Sequence, residues 1–164
     1  MSRAASRDQP TAAATFRHAR PADLPAVIGL LSGAGLPTAG FPVGLNGFIV
    51  AETADGLVGV AGLEQYGGAG LLRSVVVAPV ARGIGLGAAL VDRILAESAT
   101  QGVSDVYLLT TTAESYFPRH GFSRISREAV PEPIQASVEF QGACPATAAV
   151  MYRRLTPPTV GGTV

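Results

Sequence analysis

Arg82-Gly83-Ile84-Gly85-Leu86-Gly87 is the stretch of this sequence whose residue types and spacing point most directly to chemistry. Glycines let backbone N–H groups approach a phosphate closely, a helix N-terminus adds roughly half a positive charge with unpaired donors, and Arg82 adds a charge-assisted hydrogen bond at the same place. A pyrophosphate is at home there. The same residues also read as a glycine-rich connection that serves close packing alone. A dinucleotide-binding fold is a further rival, because Gly83-x-Gly85-x-x-Ala88 satisfies GxGxxA. That fold wants a tight strand-to-helix turn and an acidic residue ending the next strand. Here several residues intervene, and the next strand runs out in Thr110-Thr111-Thr112.

The elements that must position this loop are legible on both sides. Leu71-Leu72-Arg73-Ser74-Val75-Val76-Val77 is the strongest strand signal in the chain. After Ala78-Pro79-Val80-Ala81 the period changes, and Leu86, Leu90, Ile94 and Leu95 mark one face of a helix that runs to about Thr100. Upstream, residues 15–19 read as a first strand, and a helix follows from Pro21 with Leu24, Val27, Ile28 and Leu31 on one face, stopped by Gly33 and Gly35. Residues 40–47 read as a loop. Residues 48–52 and 57–66 are strands joined by Thr53-Ala54-Asp55-Gly56, whose Asp-Gly pair favours a hairpin, and with residues 71–77 they should form an antiparallel meander. Downstream, residues 105–111 read as a buried strand, 114–120 as two helical turns and 122–127 as a strand. Residues 131–140 hold a short helix or an irregular crossing, and 148–155 the last strand. The order argues a mixed α/β sheet covered by helices.

Composition excludes several function classes. The 164 residues, with zero formal net charge, describe one soluble domain over residues 15–155, with residues 1–14 and 156–164 too small and polar to pack. All 12 basic residues are arginine, balanced by 12 carboxylates, so no broad positive field exists for nucleic acid or an anionic membrane. Without lysine there is no Schiff base, no pyridoxal-phosphate anchor and no GxxxxGK[ST] loop. The single cysteine, Cys144, makes no internal disulfide, which fits a reducing cytoplasm, and His18 and His120 are too few for a sequence-local zinc pattern. No apolar run reaches the roughly 18 residues of a membrane span, and no signal-peptide layout opens the chain.

Val75-Val76-Val77-Ala78-Pro79, the Arg82–Gly87 loop, a helix, Val106-Tyr107-Leu108-Leu109, then Ala113 through Tyr116-Phe117 to Gly121-Phe122 together resemble the GCN5-related N-acetyltransferases, the GNAT superfamily. Arg82, Gly85 and Gly87 match its acetyl-CoA motif, and the likeness runs from about Phe16 to Leu155. A closer similarity is to the bacterial arsenic-resistance-operon N-acetyltransferases. It rests on Gly62-Leu63-Glu64, Leu71-Leu72-Arg73-Ser74, Tyr107 through Ala113, Glu139-Phe140 and Cys144-Pro145. The resemblance implies a mixed, mostly antiparallel central sheet flanked by helices, with a cofactor strand that splays from its neighbour. It implies acetyl-CoA as cosubstrate: backbone groups of Val75, Val76 and Val77 pair with the pantetheine arm, and Gly83, Ile84, Gly85, Leu86, Gly87 and Ala88, with Arg82, hold the pyrophosphate. The activity it implies is direct acetyl transfer to a small-molecule amine, such as an amino-acid-like toxin or an arsenic-related compound. A homodimer stays open, and an idle acyl-CoA-binding sensor is the rival from another class.

Such chemistry needs a proton acceptor for the amine and donors for the tetrahedral oxyanion. Glu64, on the strand beside the cofactor strand, is the first candidate base; an ordinary solvent-side carboxylate is the bland alternative. Many family members place a tyrosine four residues before the Gly-Phe pair to protonate the departing thiolate. Phe117 occupies that position here, and Tyr116 lies one place earlier, turned by about a quarter of a helical circle. Tyr116 is therefore a displaced candidate acid. A thiol of pKa about 8.5 also leaves without full protonation. Arg73, inside an apolar strand, either binds an acceptor carboxylate or pairs with Glu64. His120 reads as a helix-end cap or surface group, and Cys144 as a small buried residue or a functional thiol.

Overall fold

The computed structural model describes residues 14–36, 38, 41–42, 44–137, 140–141 and 147–156. The two expected tails fall outside these residues but for Ala14 and Thr156, and Cys144, Glu139 and Pro145 lie outside them too. Strand β1 (Thr15–His18) is followed by a 3-10 turn (Pro21–Asp23) that leads into helix α1 (Leu24–Gly33). Strands β2 (Phe48–Thr53), β3 (Gly56–Tyr66) and β4 (Ala69–Val77) come next, then a 3-10 turn (Pro79–Ala81) and helix α2 (Leu86–Thr100). Strand β5 (Asp105–Thr110), a 3-10 turn (Phe117–His120), strand β6 (Ser123–Ile125), a 3-10 turn (Arg127–Ala129), helix α3 (Glu132–Gln135) and strand β7 (Ala149–Arg154) complete the order.

The seven strands are ordered β1-β2-β3-β4-β5-β7-β6. Strands β1 and β2, β2 and β3, β5 and β7, and β6 and β7 pair antiparallel. Strands β4 and β5 pair parallel, Ala69 to Leu71 against Asp105 to Tyr107. A parallel pair needs a crossover connection, which helix α2 supplies. The mixed sheet with its helices is thus what the order of elements argued, and its mostly antiparallel pairing is what the resemblance implied.

Two compact units divide the chain, and β3, β4 and α2 each contribute to both. The first comprises Met1–Gly62 and Ser74–Ile94. Its core joins Val27 and Leu31 of α1 to Leu45, Phe48, Val50, Val60 and Val76. Gly62 belongs to this packing, because a Cβ there would sit 2.1 Å from the Phe48 ring. Asp23 fastens the entry of α1: it accepts the Arg20 N–H at 2.7 Å and both terminal nitrogens of Arg17 at 2.8 and 3.0 Å, while Arg17 Nε reaches Glu52 at 2.9 Å. The second unit comprises Leu63–Arg73 and Leu95–Val164, with a core of Leu71, Tyr107, Val130, Ile134 and Val150.

Two segments differ from the sequence reading. Residues 114–120 form a turn and a 3-10 helix from Phe117 rather than two α-helical turns. Pro118 has no N–H to extend an i to i−4 ladder, and Gly121 ends the segment at φ 85°. Strand β6 spans three residues where six were expected, its pairing with β7 covering Ser123 to Ile125 alone. Among the described residues, no helix is long and apolar enough to cross a membrane.

Candidate functional site

In the first unit, β4 delivers its C-terminal residues to the glycine loop. Val76 is buried in the core, whereas Val75 and Val77 are half-buried. Ser74, in the middle of the strand, has φ 60°, a left-handed conformation that a non-glycine residue rarely adopts. The 3-10 turn after the strand is anchored by the Ala78 N–H, which donates to the Val58 carbonyl at 2.8 Å.

The loop itself has two left-handed glycines, Gly83 at φ 84° and Gly85 at φ 83°. These dihedrals are the reason glycine stands at both positions. A Cβ on either would meet nothing within 4 Å, so both are open on the side where a ligand would approach. Arg82, Gly83, Ile84 and Gly85 are exposed. The Gly85 carbonyl accepts the Ala89 N–H at 3.0 Å, which makes Gly85 the first hydrogen-bonding residue of α2 and leaves the N–H groups of the next residues without intrahelical partners. Arg82 Nε donates to the Val77 carbonyl at 2.9 Å, tying the guanidinium to the end of β4. Residues 82–88 thus present amide donors, a helix N-terminus and an arginine on one exposed segment, a donor set suited to a diphosphate.

In the second unit, Glu64 of β3 and Arg73 of β4 are brought together. Arg73 Nη1 donates to Glu64 Oε2 at 2.5 Å, and the Tyr66 hydroxyl donates to Glu64 Oε1 at 2.7 Å. Glu64 and Tyr66 are two apart on one strand and so share a face. The Arg73 side chain is 1% exposed and that of Glu64 is 22% exposed. The solvent-facing member of the pair is therefore the carboxylate. Of the two readings open for Arg73, the geometry shows the pair with Glu64. Burial, reinforced by the neighbouring Glu64 carboxylate, pushes the Tyr66 phenol up to about 12, and the Ser137 hydroxyl also bonds to it. Sequence reasoning passed over Tyr66 and Ser137. The i, i+2 spacing of Glu64 and Tyr66 was a usable signal, whereas nothing local marked Ser137.

Tyr116 and Phe117 take different environments. The Phe117 ring is buried against Phe122 at 5.7 Å, edge to face. Tyr116 is half-buried, with its hydroxyl 3.0 Å from His120 Nε2 and the Arg119 guanidinium 4.8 Å above its ring. His120 is buried, and its carbonyl accepts a 2.8 Å hydrogen bond from Arg153.

Residues 44–124 match the family model for the acetyltransferase (GNAT) domain. Among solved structures, N-acetylglutamate synthase from Neisseria gonorrhoeae, complexed with coenzyme A and N-acetyl-glutamate, superposes with a TM-score of 0.75 at 23% identity. The match covers 87% of this chain and 35% of that one, so the chain spans about a third of the synthase. Rv2747 from Mycobacterium tuberculosis, in complex with CoA, gives 0.73 at 26% identity over 87% of this chain and 99% of its own. Ard1 from Thermoplasma volcanium gives 0.68 at 21% identity over 88% and 99%. These likenesses show a common fold. The matched segment, just under half of the chain, holds β2 to β5, the glycine loop and α2, so the likeness to acetyltransferases falls on the elements that carry the loop, and the synthase and Rv2747 structures that share the fold hold CoA.

Proposed function

We propose that residues 15–155 act as one N-acetyltransferase domain that moves the acetyl group of acetyl-CoA directly to the amine of a small, amino-acid-like acceptor. The observation that carries this reading is the exposed Arg82–Gly87 segment at the head of α2, with left-handed Gly83 and Gly85, inside the segment that matches the acetyltransferase family model. The amides of residues 83–88 and the Arg82 guanidinium hold the diphosphate of CoA, and the backbone of Val75, Val76 and Val77 lines the pantetheine arm. Acetyl-CoA supplies an activated thioester carbonyl and a thiol leaving group. An amine attacks that carbonyl only when neutral, so Glu64 accepts the ammonium proton, directly or through one water. Arg73 and Tyr66 each occupy a lone pair of Glu64, and a carboxylate has about four, so each oxygen keeps room for the incoming proton. Tyr116 gives its proton to the departing thiolate.

Support for the acceptor class comes from the neighbours: the synthase structure holds N-acetyl-glutamate, an N-acetylated amino acid. An amino-acid-like toxin, or an arsenic-containing amino-acid analogue of the kind the arsenic-operon resemblance suggests, belongs to the same class. The cytoplasm, where acetyl-CoA is made and used, is the compartment this activity calls for. The test is thiol release from acetyl-CoA by the purified protein across a panel of amino acids and analogues. Release that depends on an added amine supports the enzyme.

A second reading, an idle acyl-CoA sensor, is favoured by one observation: Phe117, at the usual tyrosine position, is buried and has no hydroxyl to give. It predicts CoA binding with no turnover of any amine in the panel.

A further inference from the structure

Glu64 is held by two donors in the second unit, and only one of them is accounted for by the pairing of opposite charges. Arg73 takes Oε2 at 2.5 Å, the Tyr66 hydroxyl takes Oε1 at 2.7 Å, and Ser137, just beyond α3, bonds to the phenol. Ser137 is itself buried and accepts the Phe140 N–H at 3.5 Å. Among the described residues, no buried side-chain nitrogen or oxygen lacks a partner, so the cluster is satisfied as it stands.

We propose that Tyr66 is a positioning residue for acetyl transfer, which fixes the Glu64 carboxylate in one orientation against Arg73 and is itself steadied by Ser137. The proposal deepens the reading of Glu64 as the base and rests on it. An ion pair to Arg73 through one oxygen leaves the carboxylate free to swivel about its terminal bond, where the torsional wells are broad. A second donor on the other oxygen removes that freedom. The phenol suits the task because it is held far above neutral pH in its protonated form, so toward the carboxylate it only donates. At neutral pH the phenol is protonated, and its proton is the one shared with Glu64. Polarity along the cluster is therefore one-way, from Ser137 to Tyr66 to Glu64, and the accepting capacity left over is on the carboxylate, whose side chain is the exposed one.

Tyr66→Phe keeps the ring that packs against the second core and removes the hydroxyl alone. A catalytic group displaced by a fraction of an ångström loses rate steeply, so kcat should fall about tenfold to a hundredfold. CoA affinity should stay within about twofold, and the melting temperature should fall by roughly 3–12 °C, since one hydrogen bond to a carboxylate is lost. Because Tyr66 acts through Glu64, the double variant Glu64→Gln/Tyr66→Phe should be no slower than Glu64→Gln alone. Ser137→Ala, which releases the phenol from behind, should move kcat in the same direction by less, and it carries the test if Tyr66→Phe does not fold. Wild-type turnover with an indifferent Tyr66→Phe, or a double variant whose loss is the product of the two single losses, overturns the proposal while leaving the acetyltransferase reading intact. A wild-type protein that turns over no amine overturns that reading, and this proposal with it.

Discussion

Gly85→Val tests the cofactor loop most directly, because the structure separates what the substitution does to folding from what it does to binding. Gly85 has φ 83° and an added Cβ would touch nothing within 4 Å, so the folded protein meets backbone strain without a clash. A side chain in the left-handed region costs roughly 1–2 kcal/mol. For a chain of this size that lowers the melting temperature by about 3–8 °C. Gly102, just past the other end of α2, is a matched control with φ 92° and equally open space. Gly102→Val should show the same thermal loss. Binding should set the two apart: on the proposed reading the valine at 85 stands where the diphosphate meets the amides, and each charge-assisted hydrogen bond lost is worth about 1.5–3 kcal/mol. One or two such losses weaken CoA by roughly tenfold to 20,000-fold. Calorimetric titration of both variants and wild type with CoA decides the matter. If Gly85→Val binds CoA as wild type does, or if Gly102→Val weakens CoA equally, the diphosphate does not sit on this loop.

Three further outcomes follow from the geometry. The Arg17 guanidinium beside Asp23 holds that carboxyl at about 2, below its ordinary 3.8; the depressed value means the stabilisation is complete above pH 4 and is lost as pH falls towards 2. It amounts to about 2 kcal/mol, and thermal melts of wild type and Asp23→Asn between pH 6 and pH 2 should converge at the acid end. Gly62→Ala drives a methyl group into the Phe48 ring and should destabilise by about 1–3 kcal/mol, read by denaturant titration; an unchanged midpoint would show that Phe48 moves aside freely. Tyr116→Phe removes the hydroxyl that meets His120 Nε2; a fall in kcat with CoA affinity unchanged supports the acid role, and a wild-type rate assigns the ring to packing.

How much of this was legible in the sequence depended on whether the deciding forces were local. The helix Leu86–Thr100 followed the apolar periodicity that begins at Leu86 and runs to about Thr100, the Thr53–Gly56 turn followed from Asp-Gly chemistry, and the glycine loop announced left-handed backbone through its residue types. Residues 114–120 misled because an apparent helical stretch was read without weighing the missing N–H of Pro118. Glu64 was reachable from its place on a strand beside the cofactor strand. Tyr66 was equally reachable from strand alternation and was overlooked, and Ser137 was not reachable at all.

Taken alone, the sequence determined where most strands and the two longer helices lie, which glycines bend the chain backwards, and that one arginine must find a buried partner, because each depends on dihedral preferences and periodicities within a few residues. Tertiary structure decided the rest. It inserted the last strand, Ala149–Arg154, between β5 and β6, gave Arg73 to Glu64, set Ser137 behind Tyr66 and buried Phe117 while leaving Tyr116 beside His120. The physical reason is that such pairings are won in competition among surfaces far apart in the chain, where the outcome depends on which groups lose water together and not on what their neighbours in sequence are.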